Sequence, residues 1–252
     1  MPSPAAKRIL LINPNTSSAT TERLLEVLTP RLPQDVALDG HTAQFGARYI
    51  ACEASHAVAA HAMLEIWAEQ VSAPFIPPTG VLIGCFGDPG LFALRESSAC
   101  PVTGLAEASF IEASSFGEFA IVTGGERWRP MLHRLAQALG YGEKLRHIET
   151  VAPSGAELLA DPEMANRCLA QACTNAVRTG VKAIIIGGAG LAGYAEKLQA
   201  HQPVPLIDSA QAGLNILLGD KAPAPLAKEN GFHAQWSNVR LDRILVSKKQ
   251  LD

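Results

Sequence analysis

Two stretches of the chain combine an apolar run with a glycine turn, and one of them carries a thiol. Val81-Leu82-Ile83-Gly84-Cys85-Phe86-Gly87-Asp88-Pro89-Gly90 places Cys85 at the turn. Ala183-Ile184-Ile185-Ile186-Gly187-Gly188-Ala189-Gly190 places Gly188 at the matching point. Both read as a strand, a turn and a helix start. Glycine lets a ligand approach the backbone closely, and N–H groups at a helix start favour a carboxylate or amide oxygen. A free thiol has a pKa of about 8.5, which a helix N-terminus lowers; Asp88, if close, raises it. A moderately depressed thiol at a pocket edge can remove or deliver a proton on carbon. The plainer reading of Cys85 is a small residue at a tight strand end, and position alone leaves the two readings even.

In a parallel sheet, ligands bind beyond the carboxyl ends of the strands. Asn13, Cys85, Thr123 and Gly188 all fall at such ends. The Asn13 amide either binds a substrate oxygen or holds its own turn, the commoner role for Asn before Pro. Asp88-Pro89 fits a helix cap followed by the first helical residue. Glu107 reads as a hinge carboxylate more readily than as a pocket residue, and His56 and His61 as structural. The glycine turns lack a Lys-Ser/Thr pair and the spacing of a dinucleotide fingerprint, so phosphate binding is a weak alternative.

The elements that position these residues alternate between strand and helix. Strands are expected at 8–12, 80–83, 101–104, 118–122, 181–186 and 204–207, with 101–104 short enough to be a hinge instead. Helices are expected at 20–28, 49–71, from 91 to 97, through Met131, Leu132, Leu135 and Leu139, at 162–178 and at 210–218. Short apolar strands separated by helices imply an α/β fold with parallel sheets. The pattern runs twice, which predicts two pseudo-symmetric domains, residues 1–104 with 209–252 and residues 105–208, and an active site in the cleft between them. After Lys221 the sequence turns polar and aperiodic. Ile244-Leu245-Val246 is a further strand candidate, and the tail is either packed on the surface or a subunit contact.

The chain has 252 residues, 48% hydrophobic and 18% charged, with a net charge of -3. That balance gives no support to nucleic-acid or membrane-surface binding, and no apolar stretch approaches a membrane span. The start, Met1 to Arg8, does not read as a secretory signal. The five cysteines show no paired metal spacing; Cys168 and Cys173 read as small hydrophobes on a helix. A reducing cytoplasm is expected.

Together these residues resemble the hydantoin racemase family of the aspartate/glutamate racemase superfamily. The resemblance rests on Leu11-Ile12-Asn13-Pro14-Asn15-Thr16, on Cys85-Phe86-Gly87-Asp88-Pro89-Gly90 with Leu94-Arg95-Glu96, and on Pro101-Val102-Thr103-Gly104-Leu105-Ala106-Glu107-Ala108. Val122-Thr123 with Trp128, Gly187 with Ala189-Gly190, and Val204-Pro205-Leu206-Ile207-Asp208 continue it in order. It implies two pseudo-symmetric α/β domains, a small-molecule substrate between them, a homo-oligomer, and racemisation by two cysteines without metal or pyridoxal phosphate. One thiolate takes the proton from the stereocentre and the opposite thiol protonates the other face. Thr123 and the turn amides then hold the substrate and stabilise an enolate-like intermediate. The substrate-binding set so implied is Asn13, Phe45, Phe86, Gly87, Thr123, Gly187, Gly188, Ala189 and Gly190.

The chain departs from the family at one position. Cys85 matches the first catalytic cysteine, whereas the second falls on Gly188, which has no side chain to transfer a proton. Tyr194 is the nearest titratable substitute, and a poor one. The expected function is therefore a cofactor-independent racemase or isomerase acting on a hydantoin or amino-acid derivative, with one thiol. The alternatives are a single-cysteine decarboxylase, like the arylmalonate decarboxylases of the superfamily, and a small-molecule binder without turnover.

Overall fold

The structure is a computed structural model that describes residues 7–72, 77–152, 155–232 and 234–241. The first half runs β1 (Lys7–Asn13), α1 (Ser18–Leu28), β2 (Val36–Thr42), α2 (Glu53–Ser72), β3 (Gly80–Ile83), α3 (Leu91–Glu96), β4 (Val102–Gly104) and α4 (Leu105–Ser114). The second runs β5 (Phe119–Gly124), α5 (Trp128–Ala138), β6 (Leu145–Val151), α6 (Gly155–Ala160), α7 (Pro162–Val177), β7 (Ala183–Gly187), α8 (Tyr194–Gln199), β8 (Leu206–Asp208) and α9 (Ser209–Leu218). Each half forms a four-stranded parallel sheet, ordered β2-β1-β3-β4 and β6-β5-β7-β8. The two orders are the same pattern repeated, so the molecule is two pseudo-symmetric α/β halves.

The central strands are the apolar runs. Leu10, Leu11, Ile12, Val81, Leu82 and Ile83 are fully buried, as are Ile121, Val122, Ile184, Ile185 and Ile186. Burial on both faces removes any need for alternation, which is why each run is continuously apolar. Register sets the site. Ile12 lies beside Ile83, so Asn13 ends next to Gly84. Thr123 lies beside Gly187.

The expected strands and helices are present with ends shifted by a few residues, except that α2 begins at Glu53 and leaves residues 49–52 outside it. Unexpected are β2, β6, α4 and α6. At the crossings, α4 packs on α9 and on β7, while α9 packs back on β3 and β4. The tail returns to its own chain: Asn230 accepts from the Ala99 N–H at 2.7 Å, the Gly231 N–H donates to Ser97 O at 2.9 Å, and Phe232, Val239 and buried Leu241 join the first core. Residues 244–246 lie outside the described residues. Among the described residues no helix is long and apolar enough to cross a membrane.

Candidate active site

A cavity of about 470 Å³ opens where the carboxyl ends of the two sheets meet. Cys85, Phe86, Thr123, Gly187, Gly188, Ala189 and Gly190 all line it. Thus the thiol turn and the Gly188 turn, 103 residues apart in the chain (188 less 85), border one space. Asn13, Phe45 and Gly87 are not among the lining residues.

Asn13 is fully buried, and its side chain is committed to the turn. Its Nδ2 donates to Asn15 Oδ1, Ser17 O and Thr21 Oγ1 at 3.0–3.1 Å, and its Oδ1 accepts from the Asn15 N–H at 3.1 Å. The residue that reaches the cavity is Asn15. Asn15 Oδ1 is occupied by Asn13 and the Ser17 N–H, while its Nδ2 has no acceptor among the described residues. Phe45 sits 37% exposed with its ring edge-on to His61 at 5.3 Å.

Phe86 and Gly87 explain two glycines at once. A Cβ at Gly187 would overlap the Phe86 ring, and a Cβ at Gly87 would overlap the Trp128 indole. Each half thus presses an aromatic ring onto a glycine of the other. Trp128 Nε1 donates to Tyr49 Oη at 3.3 Å, and Tyr49 donates to Gly124 O at 3.2 Å, closing one side of the cleft. Arg23 donates to Ala192 O at 2.7 Å and Arg31 pairs with Glu196 at 2.8 Å, closing another.

Cys85 is 6% exposed. Burial pushes its thiol well above the ordinary range, and the nearby Asp88 carboxylate adds to that. Of the two influences the sequence offers, the helix start and Asp88, the second prevails together with burial. The helix that was to lower it is only six residues long and starts at Leu91, with Gly90 at its cap. Asp88 does not cap that helix either. Its two oxygens accept from the Ala106 and Glu107 N–H groups at 2.9 and 2.7 Å, at the start of α4. Burial pushes Asp88 up to about 7 against these two bonds. In the second half Asp208, at the end of β8, caps its own helix α9, accepting from Ala210 and Gln211 N–H groups, and also accepts from the Gly193 N–H. Glu107 is the hinge carboxylate expected: Arg95 donates to it at 2.5 Å and Thr103 at 2.9 Å.

Gly188 has φ 146° and ψ 131°, and its N–H donates to Ser209 Oγ at 3.3 Å. The N–H groups of Phe86, Ala189 and Gly190 and the Thr123 hydroxyl have no partner among the described residues. They form a ready set of donors for a carbonyl or enolate oxygen. The sequence singled out neither Asn15 nor Leu191 as lining residues, and it tied Arg48 and Tyr49 to the pocket only as part of the loop 41–49, without placing them. Asn15 lies in the same turn as Asn13 and was within reach; Arg48 and Tyr49 enter only through tertiary packing of the β2–α2 loop.

The sequence profile of Asp/Glu/hydantoin racemases matches residues 9–217, nearly the whole α/β body. The chain belongs to the Asp/Glu/hydantoin racemase family. Hydantoin racemase from Paenarthrobacter aurescens is 34% identical over 83% of this chain and 89% of that protein. Among solved structures, allantoin racemase from Klebsiella pneumoniae superimposes with a TM-score of 0.80 at 26% identity, covering 91% of this chain and 97% of that one. A variant of arylmalonate decarboxylase shares the fold at a TM-score of 0.61 and 15% identity, covering 87% and 97%. The family's racemase fold therefore accounts for the two repeated sheets and the cleft between them.

Proposed function

We propose that the protein is a cofactor-independent racemase-type enzyme of proton transfer at an acidic carbon, acting on a hydantoin-like or amino-acid-derived small molecule. The observation that carries the reading is that Cys85 and Gly188 end equivalent strands and line one cavity, so a single thiol meets one face of the substrate. The free N–H groups of Phe86, Ala189 and Gly190 hold the carbonyl next to the acidic carbon and stabilise the enolate. Cys85 removes and returns the proton on its own face. Gly188 offers no acid on the other. The cytoplasmic setting, the homo-oligomer and the division into residues 1–104 with 209–252 and residues 105–208 belong to the same proposal.

A single thiol facing one side of the substrate is also suited to protonating a carbanion left by loss of carbon dioxide. That favours a single-cysteine decarboxylase as the second reading. Incubation of each enantiomer of a 5-substituted hydantoin in deuterated water separates them. The proposal expects deuterium to enter one enantiomer with retention, slow or absent decay of optical rotation, and loss of exchange by about 100-fold or more in Cys85→Ser. Fast interconversion of both enantiomers would reveal an acid on the second face and overturn the one-thiol account. Carbon dioxide released from an arylmalonate without exchange on hydantoins would favour decarboxylation, and binding with neither would leave a non-catalytic relative.

A further inference from the structure

Among the described residues, Arg48 is the one charged side chain that lines the cavity, and no carboxylate lines it. Arg23, by contrast, is occupied by Glu26 and the Ala192 carbonyl, and Arg134 by Glu53. Arg48 is exposed and has neither ion pair nor hydrogen bond among the described residues. The residues on either side of it are tied down. The Thr16 N–H donates to Ala47 O at 3.1 Å, and Tyr49 Oη bonds to Gly124 O. Arg48 thus lines a cavity that also presents free donors, Asn15 Nδ2 and the N–H groups of Phe86, Ala189 and Gly190, beside the Thr123 hydroxyl. Every fixed charge and most free dipoles there favour a negative ligand.

We propose that the substrate carries a carboxylate away from the acidic carbon, and that Arg48 is the specificity residue that receives it. This rests on the small-molecule reading of the cavity given above. Guanidinium and carboxylate pair through two parallel N–H···O bonds, which a neutral amide cannot reproduce. The pair lies at a solvent-facing mouth, so its contribution is moderate and weakens with salt.

The test is equilibrium binding, by calorimetry, of hydantoin-5-acetate and of its neutral isostere hydantoin-5-acetamide to the full-length protein. The wild type should bind the acetate about tenfold more tightly at low salt. In Arg48→Gln the two ligands should bind within about twofold of each other, and Arg48→Lys should keep part of the preference. Raising ionic strength should shrink the wild-type difference. Equal affinity for the two ligands in the wild type, or a preference that survives Arg48→Gln, would overturn the assignment of Arg48 while leaving the cavity as the binding site. Binding of neither ligand would overturn the reading of the cavity itself, and this proposal with it.

Discussion

At the scale of the residue, the proposed one-thiol chemistry turns on Gly188. The family resemblance implies a thiol there, so on the proposed reading Gly188→Cys creates or increases racemisation. The backbone adds a cost to that expectation. At φ 146° and ψ 131° an L side chain is strained, by about 1–3 kcal/mol. The new Cβ would lie 3.3 Å from Leu191 Cγ, a tight contact with a buried side chain. Gly188→Cys should therefore lose about 1–3 kcal/mol in urea unfolding and, once folded, interconvert both hydantoin enantiomers faster than the parent. A folded variant with no gain in optical-rotation decay would show that the second face lacks something besides the thiol. Thr123 and Asn15 divide the neighbouring work differently: both line the cavity, but Asn15 is held in place by Asn13.

At the scale of the element, the start of α4 is tied down by a carboxylate from elsewhere in the fold. Asp88 reaches from the thiol turn to cap α4, and a Cβ at Gly104 would overlap its carboxyl, so that position must be glycine. Glu107, paired with Arg95, adds negative charge beside it. Burial raises the Asp88 pKa from 3.8 to about 7. A carboxyl whose folded pKa lies above its unfolded one binds its proton more readily in the folded state. Its contribution to stability is then fully present below about 4 and is lost as pH rises through about 7. Asp88→Asn should cost about 1–2 kcal/mol at pH 5, because the amide accepts from only one of the two N–H groups. Its unfolding free energy should also fall less steeply between pH 4 and 7 than that of the parent. Parallel pH profiles for the two proteins in denaturant titrations would place the linkage in another group.

At the scale of the whole molecule, the cleft is set by reciprocal packing. Phe86 of the first half lies on Gly187 of the second, and Trp128 of the second lies on Gly87 of the first. Both contacts sit directly beside the cavity, so the distance between halves and the width of the site are one quantity. Gly187→Ala should destabilise by about 1–3 kcal/mol, since the added methyl collides with the Phe86 ring in a packed interface. Much of that loss should disappear when Phe86→Ala is already present, giving a non-additive double-mutant cycle. Additive effects would mean that the collision is relieved within one half and that the halves do not share this contact.

The sequence by itself determined the repeat, the parallel sheets and the two turns. Buried central strands must be continuous apolar runs, and a turn facing a ligand must be rich in glycine, so both features are written locally. It also placed Cys85 and Gly188 at matching turns, and both line the cavity. What it did not reveal follows a physical pattern. β2 and β6 are edge strands of the two sheets, and VALDGHT and LRHIETV are only partly buried, so neither shows an apolar run. α4 is buried along most of its length among α9, β4 and β7, so it lacks the one-sided pattern by which a helix is recognised. The placement of Arg48 at the cavity and the binding of Asp88 to α4 depend on residues far apart in the chain. So does the rise of the Cys85 pKa, because its cause is burial between two halves. Only the tertiary structure brings those halves together, and burial is a property of the assembled fold that no local stretch of sequence contains.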